Sequence, residues 1–161
     1  PLAAPGEPGS VEALFTGDTL FSAGVGAFFH GTARDMHDNL SRRLRHVPDA
    51  ALVFCGHEYT LDNLRFACWV DPHDTSLLER CVWAHAQRQR RAATMPALMG
   101  AERRHNPYLK VGDRHYVRKV GQRLAWLDVR DAPWWARRFP GLKGKRYAAE
   151  QARLLAEEAG G

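Results

Sequence analysis

Cysteine is scarce in this chain. Cys55, Cys68 and Cys81 are all that its 161 residues contain, too few and too irregularly spaced for a disulfide scaffold or a self-contained cysteine zinc site. Such usage points to a reducing, intracellular compartment, cytoplasmic or mitochondrial without distinction. Long apolar runs are absent as well: none approaches the roughly 20 residues of a membrane-spanning helix, so no membrane span is expected. Residues 1–10 have neither the basic nor the apolar part of a secretory signal. The first residue is Pro1 instead of Met, and the chain is read as a processed or partial product. No internal repeat is present. Hydrophobic residues at 45% and charged residues at 25% exclude a disordered or fibrous chain and leave a globular unit with one modest core.

Charge is unevenly spread. Residues 1–50 carry about −2 and residues 51–161 about +7 with neutral histidine, a bias that favours an anionic partner without naming one.

An apolar strand is expected over Val11–Phe15, interrupted by Thr16-Gly17-Asp18-Thr19 before Leu20 and Phe21. Thr32 caps a helix with Asp35 at its third position, and Met36, Leu40, Leu44 and Val47 recur at helical spacing. Pro48-Asp49 ends it. Ala51–Cys55 supplies a second strand, wholly apolar and therefore internal, and Gly56-His57-Glu58-Tyr59-Thr60 follows at its end. Two strands separated by an amphipathic helix form an α/β unit that brings Asp18 and His57 to one sheet edge. Beyond this, Thr60 caps a short helix stopped by Asp71-Pro72. A second helix runs from Thr75 to Arg91 with Leu78, Val82 and His85 inward, Asn106-Pro107-Tyr108 marks a turn, and a last helix covers Lys145–Ala159.

A carboxylate held in a tight turn after a strand, as Asp18 is, either closes an Asx turn or ligates one or two metals, since its two oxygens can bind separately. His57 is equally divided between a hydrogen-bonded structural role and a metal ligand. Glu58 reads as a solvated carboxylate or local cap, and Tyr59 as a ligand-holding hydroxyl or a packing ring. Asn63 and Arg65 either make surface hydrogen bonds or orient the preceding loop. A catalytic zinc needs about three protein ligands plus an open position. The other histidines form no close ligand motif, so Asp18 plus His57 is an incomplete site. Ser22 and Ser41 lack a nucleophile turn, and Cys55 sits within an apolar strand, which argues against hydroxyl or thiol nucleophiles. At the basic end, Arg137, Arg138, Lys143, Lys145 and Arg146 lie among Trp134, Trp135, Phe139 and Tyr147, either solvated charge beside satellite-core aromatics or a combination for phosphate contact and stacking on a polyanion, nucleic acid included.

Phe15-Thr16-Gly17-Asp18-Thr19-Leu20-Phe21, Cys55-Gly56-His57-Glu58-Tyr59-Thr60 and Asn63-Leu64-x-Phe66-Ala67 together resemble the hydroxyacylglutathione hydrolases, or glyoxalases II, of the metallo-β-lactamase superfamily. Asn106-Pro107-Tyr108 extends the likeness, which covers roughly residues 11–110. It implies the C-terminal half of an αββα sandwich in residues 1–70 and a helical appendage with a basic, aromatic-rich extension in residues 71–161. It also implies two zinc or iron ions, Asp18 bridging them and His57 binding one, both of them catalytic, with Tyr59 in the substrate pocket and thioester hydrolysis as the reaction. The chain departs from the family pattern in Gly24-Val25-Gly26-Ala27-Phe28-Phe29-His30-Gly31, where Ala27 lacks a cation and Phe29 a hydroxyl that would hold glutathione. The family's His-x-His-x-Asp-His motif is not found in these residues. Two readings follow: part of a metal-dependent hydrolase of a glutathione-like thioester that needs a complementary N-terminal half, or an inactive structural or binding subunit of a larger assembly, a ribonucleoprotein among them.

Overall fold

The computed structural model describes residues 12–27 and 29–125, with side chains to residue 122. Strand β1, Ala13–Gly17, pairs in parallel with β4, Leu52–Cys55. A two-residue strand β5, Ala97–Leu98, joins the far side of β4 antiparallel, so the sheet order is β1-β4-β5 and β4 is internal, as its apolar sequence requires. β5 was not foreseen, because two residues are too short to show any period. Between β1 and β4 run a small hairpin of β2, Leu20–Phe21, and β3, Gly24–Val25, then helix α1, Ala33–Asp38.

α1 begins with the expected reciprocal cap: the Asp35 amide donates to Thr32 Oγ1 at 3.2 Å, and the Thr32 amide donates back to the Asp35 carboxylate at 2.7 Å. The helix then widens into a π turn over Asn39–Arg43 and tightens into a 3₁₀ turn over Leu44–His46. The apolar residues at helical spacing still reach one core: Leu40 and Val47 are buried with Leu20, Ala51, Val53 and Met99, and Met36 and Leu44 pack at its edge. Arg103 donates to the carbonyls of Leu44, Arg45 and Val47 and pairs with Asp49, satisfying the carbonyls that this helical end leaves open.

Helices α2, Thr60–Val70, and α3, Thr75–Gln89, form an antiparallel hairpin. Two expectations are corrected here. Thr60 is not the cap: Tyr59 occupies that position, while the buried Thr60 hydroxyl bonds to Thr94 Oγ1 at 2.6 Å. The inner face of α3 is Leu77, Cys81 and Ala84, one residue away from the expected set, and Val82 is 71% exposed. Asp74 accounts for the shift, since its side chain accepts from the Ser76 and Leu77 amides and so fixes the rotational start of the helix with Leu77 inward. Helix α4, Met99–His105, a 3₁₀ turn over Pro107–Lys110 and α5, Arg114–Ala125, complete the described chain. α5 is a helix where only a basic stretch was expected; Asp113 caps it by accepting from the His115 and Tyr116 amides, and Tyr116 packs against Phe66 and Val70 of α2. The helix expected over Lys145–Ala159 and the basic cluster Arg137, Arg138, Lys143, Lys145 and Arg146 lie outside the described residues. Among the described residues no helix is long and apolar enough to cross a membrane.

Candidate metal centre

Both candidate ligands leave the sheet at the same edge. β1 runs two residues further than its apolar letters suggest, because the Gly56 amide donates to the Gly17 carbonyl at 2.8 Å and stitches the two strand ends together. A register shift between Phe15 and Gly17 accompanies this stitch, and such irregularities re-aim the following side chain. Thr16 holds the turn from inside: its hydroxyl lies 2.6 Å from the Leu20 carbonyl and 3.3 Å from that of Phe54, and its carbonyl accepts from the Thr19 amide at 3.0 Å.

As a result Asp18 Oδ1 and His57 Nε2 face one another at 3.6 Å, with the two side chains 55% and 53% exposed. The separation is too long for a good hydrogen bond. Two ligands of one tetrahedral zinc, each about 2.0–2.2 Å from the ion, stand roughly 3.3–3.6 Å apart. The approach depends on two positions without a side chain. A Cβ at Gly56 would lie 2.6 Å from Asp18 Oδ1, and one at Gly26 would lie 1.8 Å from the Asp18 carbonyl oxygen. The pair therefore fits a metal as part of a ligand set; among the described residues, no group of three or more His, Cys, Asp and Glu side chains gathers to complete it.

Aromatic rings fix the imidazole plane. Tyr59 stacks on His57 at 5.2 Å with an interplanar angle of 18°, and Phe21 meets Tyr59 edge-on at 5.3 Å and His57 at 6.1 Å. Tyr59 is thus packed and accessible at once. The Cys55 thiol donates to the His57 carbonyl at 3.4 Å; burial pushes its pKa up, so it is no thiolate nucleophile. Ser22 is buried and donates to Glu102, which removes it as a nucleophile too.

Glu58 turns away from the pair. Its carboxylate accepts from the Thr94 amide at 2.9 Å and lies 2.5 Å from the Thr94 hydroxyl. Partial burial opposes its ionisation, but the Thr94 and Thr60 hydrogen bonds and Arg88 outweigh it, leaving the pKa below the ordinary carboxylate value. Asn63 does orient a loop, although a different one from that expected: its amide donates to the Ser22 carbonyl at 2.9 Å, within the β2–β3 turn. Arg65 pairs with Asp62.

Sequence reasoning missed Glu102. This residue is 2% exposed, accepts from the Ser22 hydroxyl at 2.8 Å and the Ala23 amide at 2.7 Å, and so grips the turn that follows Asp18. Ala23 has φ of 56°, a strained value for a residue with a Cβ, which these bonds help to hold. Asn106, fully buried, donates to the Phe21 and Gly24 carbonyls and accepts from the Tyr108 amide. Burial raises the Glu102 pKa despite these donors and the nearby Arg80. Nothing in the local letters around Glu102 marks it out, because a glutamate in a short helix ordinarily faces water.

The family model described as "Hydroxyacylglutathione hydrolase C-terminus" matches residues 58–131. The chain matches the C-terminal part of the hydroxyacylglutathione hydrolases. It is 42% identical over 117 residues to the hydroxyacylglutathione hydrolase of Pseudomonas syringae pv. syringae, covering 73% of this chain and 45% of that protein. Identity is 41% over 116 residues, 72% of this chain and 45% of the other, with a protein of Arabidopsis thaliana named hydroxyacylglutathione hydrolase cytoplasmic. With the Gloeobacter violaceus hydroxyacylglutathione hydrolase it is 47% over 108 residues, 67% of this chain and 42% of that protein. The chain thus spans less than half the length of these relatives. In hydroxyacylglutathione hydrolase terms its β-sheets flanked by helices form a partial αββα arrangement followed by a helical region.

Proposed function

We propose that this chain contributes Asp18 and His57 to the metal centre of a thioester hydrolase acting on glutathione or a related thiol ester, and that the other ligands come from outside these 161 residues. In this reading residues 1–70 belong to the catalytic unit and residues 71–161 to the helical region. The observation that carries it is the 3.6 Å approach of a carboxylate oxygen and an imidazole nitrogen at two joined strand ends, in a chain whose relatives bear the hydrolase name. The group bound there, zinc or iron, supplies Lewis acidity and a water activated near neutral pH. The remaining work belongs to the chain. Gly26 and Gly56 leave room for the Asp18 turn and carboxylate. The Tyr59 ring holds the His57 plane and lines the approach of the thiol portion of the substrate. Glutathione chemistry places the protein inside the cell, in the cytoplasm or a mitochondrion.

The test is metal content and thioester hydrolysis by the 161-residue chain, alone and joined to the complementary half that carries the missing histidines. The isolated chain is expected to hold less than the full two metals and to lack full turnover; the completed assembly gains both. Asp18→Ala should then reduce turnover by about 10³-fold with the helical circular dichroism unchanged. Normal turnover by the isolated chain, or no loss in the Asp18→Ala assembly, overturns the proposal.

One observation favours the second reading, a binding or structural subunit. Ala27 and Phe29 supply neither cation nor hydroxyl, and Phe29 is 83% exposed. A purified assembly free of metal and inactive on thioesters would support it. In that case binding to a polyanion that weakens as salt rises would assign the role to Arg137, Arg138, Lys143, Lys145 and Arg146.

A further inference from the structure

The α2–α3 hairpin holds two cysteines that the proposed chemistry does not use. Cys68 lies on α2 and Cys81 on α3, and both pack against one buried cluster of Ala23, Leu64, Ala67, Leu77 and Ala84. Each sits on the inward face of its own helix: Cys68 is one turn from Leu64, and Cys81 is one turn from Leu77 and Ala84. The residues that fill the crossing are small, since Ala67 and Ala84 are both fully buried there. Side chains of this size let two helix axes approach to the lower end of the usual range of about 8–10 Å. With Cα atoms about 2.3 Å from each axis, facing residues then stand roughly 3.5 Å apart, and those flanking the line of centres a few ångströms more. A disulfide spans about 4.4–6.8 Å between Cα atoms, so residues beside the alanines have a fitting separation. Burial, and after it the Cys81 thiol nearby, push the Cys68 pKa up to about 11, in keeping with two sulfurs that adjoin. Cys55, by contrast, belongs to β4, where its thiol contacts Met95 and the His57 carbonyl.

We propose that Cys68 and Cys81 form a reversible disulfide that staples α2 to α3, with a low-molecular-weight disulfide as the oxidant. The Cys81 sulfur attacks one sulfur of the oxidant, a mixed disulfide forms and the first small thiol leaves. The Cys68 sulfur then attacks the Cys81 sulfur, the mixed disulfide breaks and the second small thiol leaves. Both cysteine protons end on the released thiols, so one disulfide is reduced and one is made. The order follows from charge: burial beside Cys81 keeps Cys68 protonated at neutral pH, which leaves the opening attack to Cys81. Such pairs in reducing compartments are transient, formed when oxidant rises and undone when small thiols prevail. The staple bears on the Asp18 turn through α2, which starts directly after Tyr59 and carries Asn63, the donor to the Ser22 carbonyl at 2.9 Å. The disulfide rests on the placement of two helices and is independent of the proposed function.

In the experiment the natural polypeptide, purified in its reduced form, is equilibrated with mixtures of reduced and oxidised glutathione. It is then trapped with N-ethylmaleimide, cut with trypsin and analysed by mass spectrometry. Arg65, Arg80 and Arg88 place Cys68 and Cys81 on two adjoining peptides, residues 66–80 and 81–88. As glutathione disulfide rises, these two peptides are expected to appear joined, short of two hydrogens and free of maleimide, while Cys55 is still alkylated. Dithiothreitol should restore both free peptides. Maleimide on Cys68 and Cys81 throughout, glutathione held on either one without a link, or a joined pair that includes Cys55 overturns the proposal. That measurement needs no variant. Hydrogen exchange then reads the consequence: closing the loop should slow opening of the hairpin, and with it exchange of the α2 and α3 amides, by about 30-fold. Cys81→Ala should show no slowing in the same oxidant. Equal exchange in the oxidised and reduced protein, or the same slowing in Cys81→Ala, also overturns the proposal.

Discussion

Two polar centres flank the β2–β3 hairpin and are built on opposite terms. Before it, Asp18 and His57 face each other at 3.6 Å, half exposed and without a direct hydrogen bond between them. At its turn, Glu102, Asn63 and Asn106 are buried and spend their donors and acceptors on Ser22, Ala23, Phe21 and Gly24. A buried polar group must be satisfied within the fold, so the second centre acts as scaffold. The Asp18 and His57 atoms, held at a strand end with no direct hydrogen bond to each other, stay open to a further group. The difference shows which carboxylate holds the loop and which one the loop presents.

Removing the buried centre should cost most. Glu102→Ala leaves the Ser22 hydroxyl and the Ala23 amide without their acceptor and opens a gap beneath a positive-φ residue; a loss of about 3 kcal/mol is expected in denaturant titration of the described fold. A loss under about 1 kcal/mol would break the comparison. Thr94→Val removes the donor shared with Glu58 and Thr60, outside both centres, and should cost about 1 kcal/mol by the same measurement.

The two glutamates also sharpen the contrast through pH. Glu102 has a pKa raised by burial, so the folded state holds its proton more tightly than the unfolded one. Its contribution is fully present below the ordinary value of 4.5 and is lost as pH rises through the folded pKa. Glu58 is shifted downward, so its contribution is present above 4.5 and is lost as pH falls through its folded pKa. Stability measured against pH should therefore lose its alkaline-side decline in Glu102→Gln and part of its acid-side decline in Glu58→Gln. The same curve for both variants would refute the assignment. The smallest effect belongs to Asp18→Asn, which breaks no hydrogen bond among the described residues and should change stability by less than about 0.5 kcal/mol while removing one oxygen of the proposed metal-facing carboxylate. A large destabilisation would mean that Asp18 is scaffold after all.

Most of the elements were legible in the letters because each has a local cause. The cap of Thr32 with Asp35, the apolar period through Leu40 to Val47, the internal strand ending at Cys55 and the stop at Asp71-Pro72 act within a few residues. The placement of Asp18 and His57 directly after apolar strands was legible for the same reason. The inward face of α3 was not, since one hydrogen-bonded cap at Asp74 rotates it from Leu78 and Val82 to Leu77, Cys81 and Ala84. β5 was too short to carry a period.

By itself, then, the sequence determined the order of elements, the strand-end positions of the two candidate ligands and the family motifs around them, all of which reside in neighbouring residues. Only the tertiary structure decided that Asp18 and His57 meet, through a backbone bond from Gly56 to Gly17 across 39 positions of chain. It also decided that Glu102 is buried under the Asp18 turn and that, among the described residues, one sheet face packs Val53 into the core while the other leaves Phe15 exposed. Those outcomes depend on contacts between residues far apart in sequence, whose free energy exists only after the chain has closed the loops between them.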